Sequence, residues 1–241
     1  MTVTQDHLAA LARFDTPTIC NALERIEPAT RLEGYTAQSM VAAPGHLRLP
    51  DGARAICGRA KTARIAGRAP HGRKEAENNA LKIGYYEYVA ACDLPTVLVI
   101  EDTDADPIGA FWGEVHSALH RALGALGAVT NGVVRDLEDL DPRFLILAGK
   151  VAPSHAHVHW VDYGAGATVF GMQVEDGQII HADRHGAVVI PESAVGRLEE
   201  AARAVQARER PLLELAQAEH MDMAALRALI TGKTQGEEAA E

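Results

Sequence analysis

The spacing of hydrophobic residues changes period several times along the chain, and each change marks an element. Leu8, Leu11 and Phe14 fall three apart and predict a short helix. Asp15-Thr16-Pro17 then supplies an N-cap and a helix-start proline for a second helix over 18–26. Residues 28–50 carry Pro28, Gly34, Pro44, Gly45 and Pro50 and read as loop. Over 55–65 a period of two takes over, placing Ile56, Gly58, Ala60 and Thr62 on one face of a long strand or strand pair. Residues 73–89 read as a helix carrying Tyr85, Tyr86 and Tyr88. Residues 95–100 are apolar throughout, as in a strand buried on both faces. That run ends in Glu101-Asp102-Thr103-Asp104-Ala105-Asp106, which lacks the glycine and terminal glutamate of a calcium loop and reads as a solvated loop.

In the middle of the chain, Leu119, Leu123 and Leu126 predict an amphipathic helix over 117–126, with Gly124 inside it and Gly127 as its stop. Ala128-Val129-Thr130 then predicts a buried strand and Asn131-Gly132 a tight turn. Residues 144–148 form another strand. Over 161–190, apolar segments alternate with Gly164, Gly166, Gly171, Gly177 and Gly186, as in short strands joined by tight turns. Residues 192–207 and 211–230 are amphipathic helices, followed by a short polar tail from Thr231. A strand-rich middle with helices at both ends predicts an α/β layered fold. No internal repeat or linker divides the 241 residues, so one domain is expected.

Composition narrows the function classes. A 47% hydrophobic content suits a sizeable core, and a net charge of −10 argues against non-specific nucleic-acid binding. Cys20, Cys57 and Cys92 are odd in number and widely spaced, which predicts buried thiols in place of a disulfide framework. Neither a signal peptide nor a membrane-length apolar run is visible, so a soluble cytoplasmic protein without membrane contact is expected. Between Arg48 and Lys74 stand eight Lys/Arg and one acid, Asp51. That stretch reads as solvated surface or subunit contact, the alternative being a basic rim that draws in anions.

The candidate chemistry centres on Glu114, Arg135 and Asp136, with twenty residues between the glutamate and the arginine. A glutamate at a helix entry and an Arg-Asp pair at the exit of the following strand can meet on one side of a sheet. Arginine grips a carboxylate through a planar fork, and a carboxylate pair suits a hydrated divalent cation. The amides of Val115 and His116, if they open the helix, point toward negative charge. A structural ion pair beside a solvated glutamate is the plainer reading. His155, His157 and His159 alternate as if on one strand face, as do His181, Asp183 and His185. Such rows can bind zinc, but they also occur as hydrogen-bonded polar layers or subunit contacts.

The run Trp112-Gly113-Glu114, then Gly124-Ala125-Leu126-Gly127-Ala128-Val129-Thr130-Asn131-Gly132-Val133-Val134-Arg135-Asp136, resembles the signature of the RraA-like family. So do Asp15-Thr16-Pro17-Thr18-Ile19-Cys20-Asn21-Ala22-Leu23, Gly58-Arg59-Ala60-Lys61-Thr62 and the segment from His181 to Pro191, so the resemblance spans roughly residues 10–210. That family holds class II pyruvate aldolases for 4-hydroxy-4-methyl-2-oxoglutarate and 4-carboxy-4-hydroxy-2-oxoadipate, and a regulator that inhibits ribonuclease E. The resemblance implies an αββα sandwich similar to swivelling phosphohistidine domains, assembled as a homotrimer or homohexamer. It also implies a magnesium- or manganese-dependent lyase for small 2-oxo acids that works through a pyruvate enolate. Asp136 would hold the metal, Glu114 would reach it through a water and carry the proton, and Arg135 with Val115 and His116 would bind substrate. A further metal carboxylate, from a neighbouring copy, would fall near Glu209. The chain departs from the family pattern at Glu114, where the aldolases carry Asp, and at Asn131, where many members carry Asp. Those departures keep a regulator of a ribonuclease-type partner as the alternative.

Overall fold

A computed structural model describes residues 2–50 and 52–231. Two short helices open the chain, α1 (Gln5–Leu11) and α2 (Thr16–Ile26). The Asp15 side chain accepts from the Thr18 amide 2.9 Å away, and Pro17 sits in the first turn of α2, as the sequence predicts. The loop that follows contains a 3-10 turn (Pro28–Arg31) and a three-residue strand, β1 (Val41–Ala43), too short to register as a pattern.

The long period-two run is a single strand, β2 (Ile56–Ala66). The helix α3 (Glu75–Ala90) carries the chain to β3 (Thr96–Asp102), which pairs parallel with β2. Parallel pairing continues through β5 (Ala125–Thr130) and β7 (Leu145–Ala148), and β1 closes that edge antiparallel. On its other side β2 forks. Its first half pairs with β12 (Ile179–Asp183), which pairs with β13 (Gly186–Ile190), and its second half pairs with β9 (His159–Tyr163). The result is an eight-stranded sheet whose central strands are buried on both faces. Leu98 and Ile100 of β3 enter one cluster while Val97 and Val99 enter another, so both faces are covered.

A second, three-stranded parallel sheet grows out of the first. Each strand is a continuation of a main-sheet strand: β4 (Ala110–Trp112) follows β3, β6 (Val133–Val134) follows β5, and β8 (Lys150–Val151) follows β7. A loop over 103–109 makes the first step, while those from β5 to β6 and from β7 to β8 are tight. At Gly149, between β7 and β8, a Cβ would collide with the Asn131 carbonyl. A hairpin of β10 (Ala167–Val169) and β11 (Met172–Val174) covers the third core cluster. Helix α5 (Val195–Ala216) packs on α2, and α6 (Met223–Thr231) ends the described part. The α/β architecture with helices at both ends matches the expectation.

Four boundaries differ from the sequence reading. The central helix, α4, spans Glu114–Ala122 and not 117–126. Gly124 is its terminator, with φ 93°, and Gly127 lies inside β5. The buried face of α4 carries Ser117 and His120, while Leu119 is exposed. The two expected C-terminal helices are separated elsewhere: α5 runs through Pro211, whose neighbourhood is exposed so that water can serve the freed carbonyl. Asp51 and the tail beyond Thr231 lie outside the described residues.

Candidate functional site

Two adjacent parallel strands deliver the three candidate residues to one place. β4 runs into Gly113 and α4, and β6, beside it, runs into Arg135 and Asp136. The ladder continues one step further, with the Arg135 amide donating to the Trp112 carbonyl at 2.8 Å. Both connections therefore leave the same end of the small sheet, the position where parallel strands expose binding groups.

Gly113 makes the approach possible. A Cβ there would overlap Asp136 Oδ2 and stand 3.2 Å from Arg135 Cγ. The carboxylate of Asp136 lies over the helix start and accepts from the Glu114 amide at 3.3 Å. Asp136 itself has φ 53°, the left-handed region that Asp tolerates better than most residues. The next amides of α4, Val115 and His116, have no acceptor among the described residues, and the helix dipole adds to their pull on an anion.

Arg135 and Asp136 touch through one contact, Nε to Oδ2 at 3.4 Å, with both side chains more than a third exposed. The two terminal nitrogens of Arg135 have no partner among the described residues, so the guanidinium fork remains available to a ligand carboxylate. Glu114 is exposed and in no ion pair among the described residues. The Val115 side chain is exposed as well, so its contribution is its amide.

His116 packs edge-on against Phe111, ring centroids 4.1 Å apart, and its buried Nδ1 has no partner. Burial, reinforced by His120, Lys82 and Arg135, pushes its pKa down to about 3, so the ring is neutral. One turn later, His120 locks α4 in place. Its Nδ1 lies 2.7 Å from the His116 carbonyl and must donate, which leaves Nε2 to accept from Tyr85 Oη at 3.0 Å. Burial lowers its pKa to about 4, in keeping with that neutral tautomer. Tyr85 stacks on Trp160 at 3.7 Å, and this aromatic layer carries α4.

Asn131 has a local explanation. Its Oδ1 accepts from the Asp102 amide at 2.7 Å and its Nδ2 donates to the Asp102 carbonyl at 2.8 Å. An amide side chain does both; a carboxylate could only accept. Asp102 is thus buried at the end of β3, with Oδ2 unpartnered, and burial raises its pKa to about 6. The rest of the acidic run is employed locally: Glu101 accepts from the Thr168 amide, Asp104 from the amides of Gly67 and Arg68, and Asp106 pairs with Arg68 and Lys150. The loop is solvated as expected at Thr103, Ala105 and Asp106, and its carboxylates also serve as tethers.

His155, His157 and His159 do not share a strand face, whereas His181 and Asp183 both lie on β12 and His185 falls in the turn after it. His155 and His157 lie in a turn, and β9 begins at His159. They border a cavity of about 400 Å³ with His71 and His116. His181 is buried between Thr16 Oγ1 (3.0 Å) and the Leu11 carbonyl (3.2 Å), and Asp183 accepts from the Thr16 amide at 2.8 Å. Those two residues fasten α2 to β12. Four arginines of the basic stretch are paired, Arg54 with Asp15, Arg59 with Glu192, Arg64 with Asp162 and Arg68 with Asp106. The three cysteines are free thiols. No described helix is long and apolar enough to cross a membrane.

Glu209 is exposed on α5 beside Asn21, Glu24 and Arg25, so the chain by itself does not bring it to Asp136. Among the described residues no group of three or more His, Cys, Asp or Glu is placed to hold a metal. Magnesium needs less from a protein: it keeps several waters and takes one or two carboxylates. Asp136, seated in the space that Gly113 leaves and paired to Arg135 through one oxygen only, fits that role.

The family model described as RraA-like, Aldolase/RraA, matches residues 16–189. An uncharacterized protein of Methanocaldococcus jannaschii is 30% identical over 107 residues, 44% of this chain and 51% of that protein. The chain thus spans about half the length of that relative. An uncharacterized protein from Pseudomonas syringae pv. tomato superposes with a TM-score of 0.68 at 18% identity, covering 96% of each chain. RraAS2 of Streptomyces coelicolor, an unusual member of the RNase ES inhibitor RraA protein family, gives a TM-score of 0.63 at 20% identity, covering 87% of this chain and 96% of its own. At these identities the two structures speak for the fold alone.

Proposed function

The chain belongs to the RraA-like family, and from that premise we propose that it is a divalent-metal-dependent lyase that cleaves small 2-oxo acids to pyruvate. One observation carries the reading: Arg135 and Asp136 converge on the open N-terminus of α4 across a glycine that no larger residue can replace without displacing them.

Arg135 binds the carboxylate of the 2-oxo acid through its free fork, and the Val115 and His116 amides donate to the same end of the molecule. As the carbon–carbon bond breaks, the electron pair moves toward the 2-oxo oxygen, and the positive guanidinium and helix terminus stabilise the developing enolate. Glu114 takes the proton from the 4-hydroxyl through a water and returns it to the carbon that becomes the methyl group of pyruvate. Asp136 would hold a magnesium or manganese ion, which when bound supplies Lewis-acid polarisation of the 2-oxo group. Oxaloacetate decarboxylation passes through the same enolate, so the site can serve either cleavage. A homotrimer or homohexamer in which a neighbouring copy brings its Glu209 to the site belongs to this proposal.

The roles separate experimentally. Asp136→Asn weakens metal binding, so added magnesium partly restores pyruvate release. Arg135→Lys keeps the charge but loses the fork; turnover falls on the order of a hundredfold and magnesium does not restore it. Equal responses of the two variants to magnesium would remove the assignment. The alternative is a non-catalytic regulator of a ribonuclease-type partner, a role that the longer carboxylate at Glu114 favours and the retained Arg135-Asp136 geometry weighs against.

A further inference from the structure

The far end of α4 borders a second cavity, of about 590 Å³, within the range of small-molecule pockets. It lies between α1, residues 48–50 and 53–57, and the start of β5, away from Arg135 and Asp136. Leu8, Leu49, Ile56 and Leu126 make apolar walls. Four arginines reach the same space: Arg13, Arg48, Arg121 and Arg143. Only Arg143 has an acidic partner among the described residues, Asp141 at 2.8 Å. Four arginines thus line the cavity, where no described Asp or Glu does, and Asp141, paired with Arg143, also interacts electrostatically with Arg121.

Arg121 adds an independent sign. Its Nε is buried and has no hydrogen-bond partner. Leaving such a donor unmet is unfavourable, and a ligand oxygen placed there would meet it. As the penultimate residue of α4, Arg121 also lies where the helix dipole is negative, which accounts for a cation at that position but not for a buried, unpaired N–H.

We propose that this cavity binds an amphipathic carboxylate, a single carboxyl head on an apolar body, with the head held by Arg121 and the neighbouring arginines and the body against Leu8, Ile56 and Leu126. Size and apolar walls account for the body. The arginines, which outnumber the described acid beside them, and the orphan N–H account for the head. A free inorganic anion leaves the walls unused, and a neutral lipid leaves the arginines unpaired.

Octanoate is the probe, titrated calorimetrically into the whole protein beside 1-octanol, which lacks the head, and acetate, which lacks the body. Octanoate binds one per chain, and each truncated probe binds at least tenfold more weakly. Arg121→Met lowers octanoate affinity at least tenfold. Ala9→Trp, which fills the cavity from α1, abolishes binding with an unchanged circular dichroism spectrum. Should Arg121→Met fail to fold, Arg48→Met and Ala9→Trp carry the test. No saturable heat with octanoate would overturn the proposal, as would 1-octanol binding equally well or octanoate binding unchanged in Ala9→Trp. If Ala9→Trp instead alters the sedimentation mass, the cavity is a contact between copies of the chain and the proposal is wrong.

Discussion

Replacing Gly113 by alanine tests whether the site is built as described. The glycine is extended, φ −164°, so alanine suffers no backbone strain. Its Cβ meets three atoms of two residues: it overlaps Asp136 Oδ2 and comes within 3.2 Å of Arg135 Cγ and 3.3 Å of Asp136 Cγ. Asp136, more than a third exposed, can swing away. The swing sacrifices its bond to the Glu114 amide and forces a poorer rotamer. A bond to a charged group contributes about 1.5–3 kcal/mol, discounted toward the lower end by exposure, and the rotamer costs about 1 kcal/mol. A loss of about 2 kcal/mol lowers Tm by roughly 4–8 °C for a chain of this size. Turnover suffers more, because displacing a reacting group by about an ångström costs on the order of a hundredfold. Gly113→Ala therefore keeps a folded protein with at most a hundredth of the pyruvate release. Parent-level turnover in this variant would refute the placement of Asp136 over the helix start, and collapse of the fold would show that Gly113 serves the core and not the site.

Other perturbations follow from the same geometry. Glu114→Asp keeps or raises pyruvate release while Glu114→Ala nearly abolishes it; parent-rate turnover in the alanine variant would make this glutamate a helix-start residue only. Asn131→Asp loses the donor to the Asp102 carbonyl and sets a carboxylate against it, lowering stability by about 1–3 kcal/mol in urea unfolding; an unchanged midpoint would show that the clamp is idle. Burial depresses the pKa values of His116, His120 and His181 to about 3, 4 and 4 from 6.5. Each stabilises the fold above pH 6.5 and loses that contribution as pH falls toward its folded value. Asp102, raised to about 6, acts oppositely, stabilising at low pH and losing that contribution as pH rises through 6. Three groups outweigh one, so unfolding free energy falls from pH 6.5 to 4.5, and His120→Gln shrinks the fall; equal stability at both pH values would contradict the buried neutral histidines.

Local chemistry was readable where it was self-contained. Asp15-Thr16-Pro17 carries its own cap and start, and the apolar run through Val97 and Val99 can only be a doubly buried strand. Reading failed where a distant partner decides. The face of α4 looks leucine-lined, yet the buried position is His120, because Tyr85 from α3 meets it. Gly124 and Gly127 are indistinguishable by type, and only the left-handed turn separates terminator from strand. His155, His157 and His159 alternate as a strand does, but Ala156 has φ 47° and the alternation is a turn. For the candidate site, spacing linked Glu114 to Arg135 and Asp136, and Gly113 stood out only as part of the Trp112-Gly113-Glu114 run, with nothing to show that its missing Cβ lets them meet. The pairing of Asn131 with the Asp102 backbone was likewise invisible, so a structural clamp looked like a lost functional residue.

The most direct measurement is pyruvate release by the unaltered protein from a panel of 4-hydroxy-2-oxo acids and oxaloacetate, with magnesium, with manganese and with EDTA. Turnover of at least one of them is expected with either metal, and its loss in EDTA. No release from any substrate with metal present, or release that EDTA leaves untouched, would contradict it.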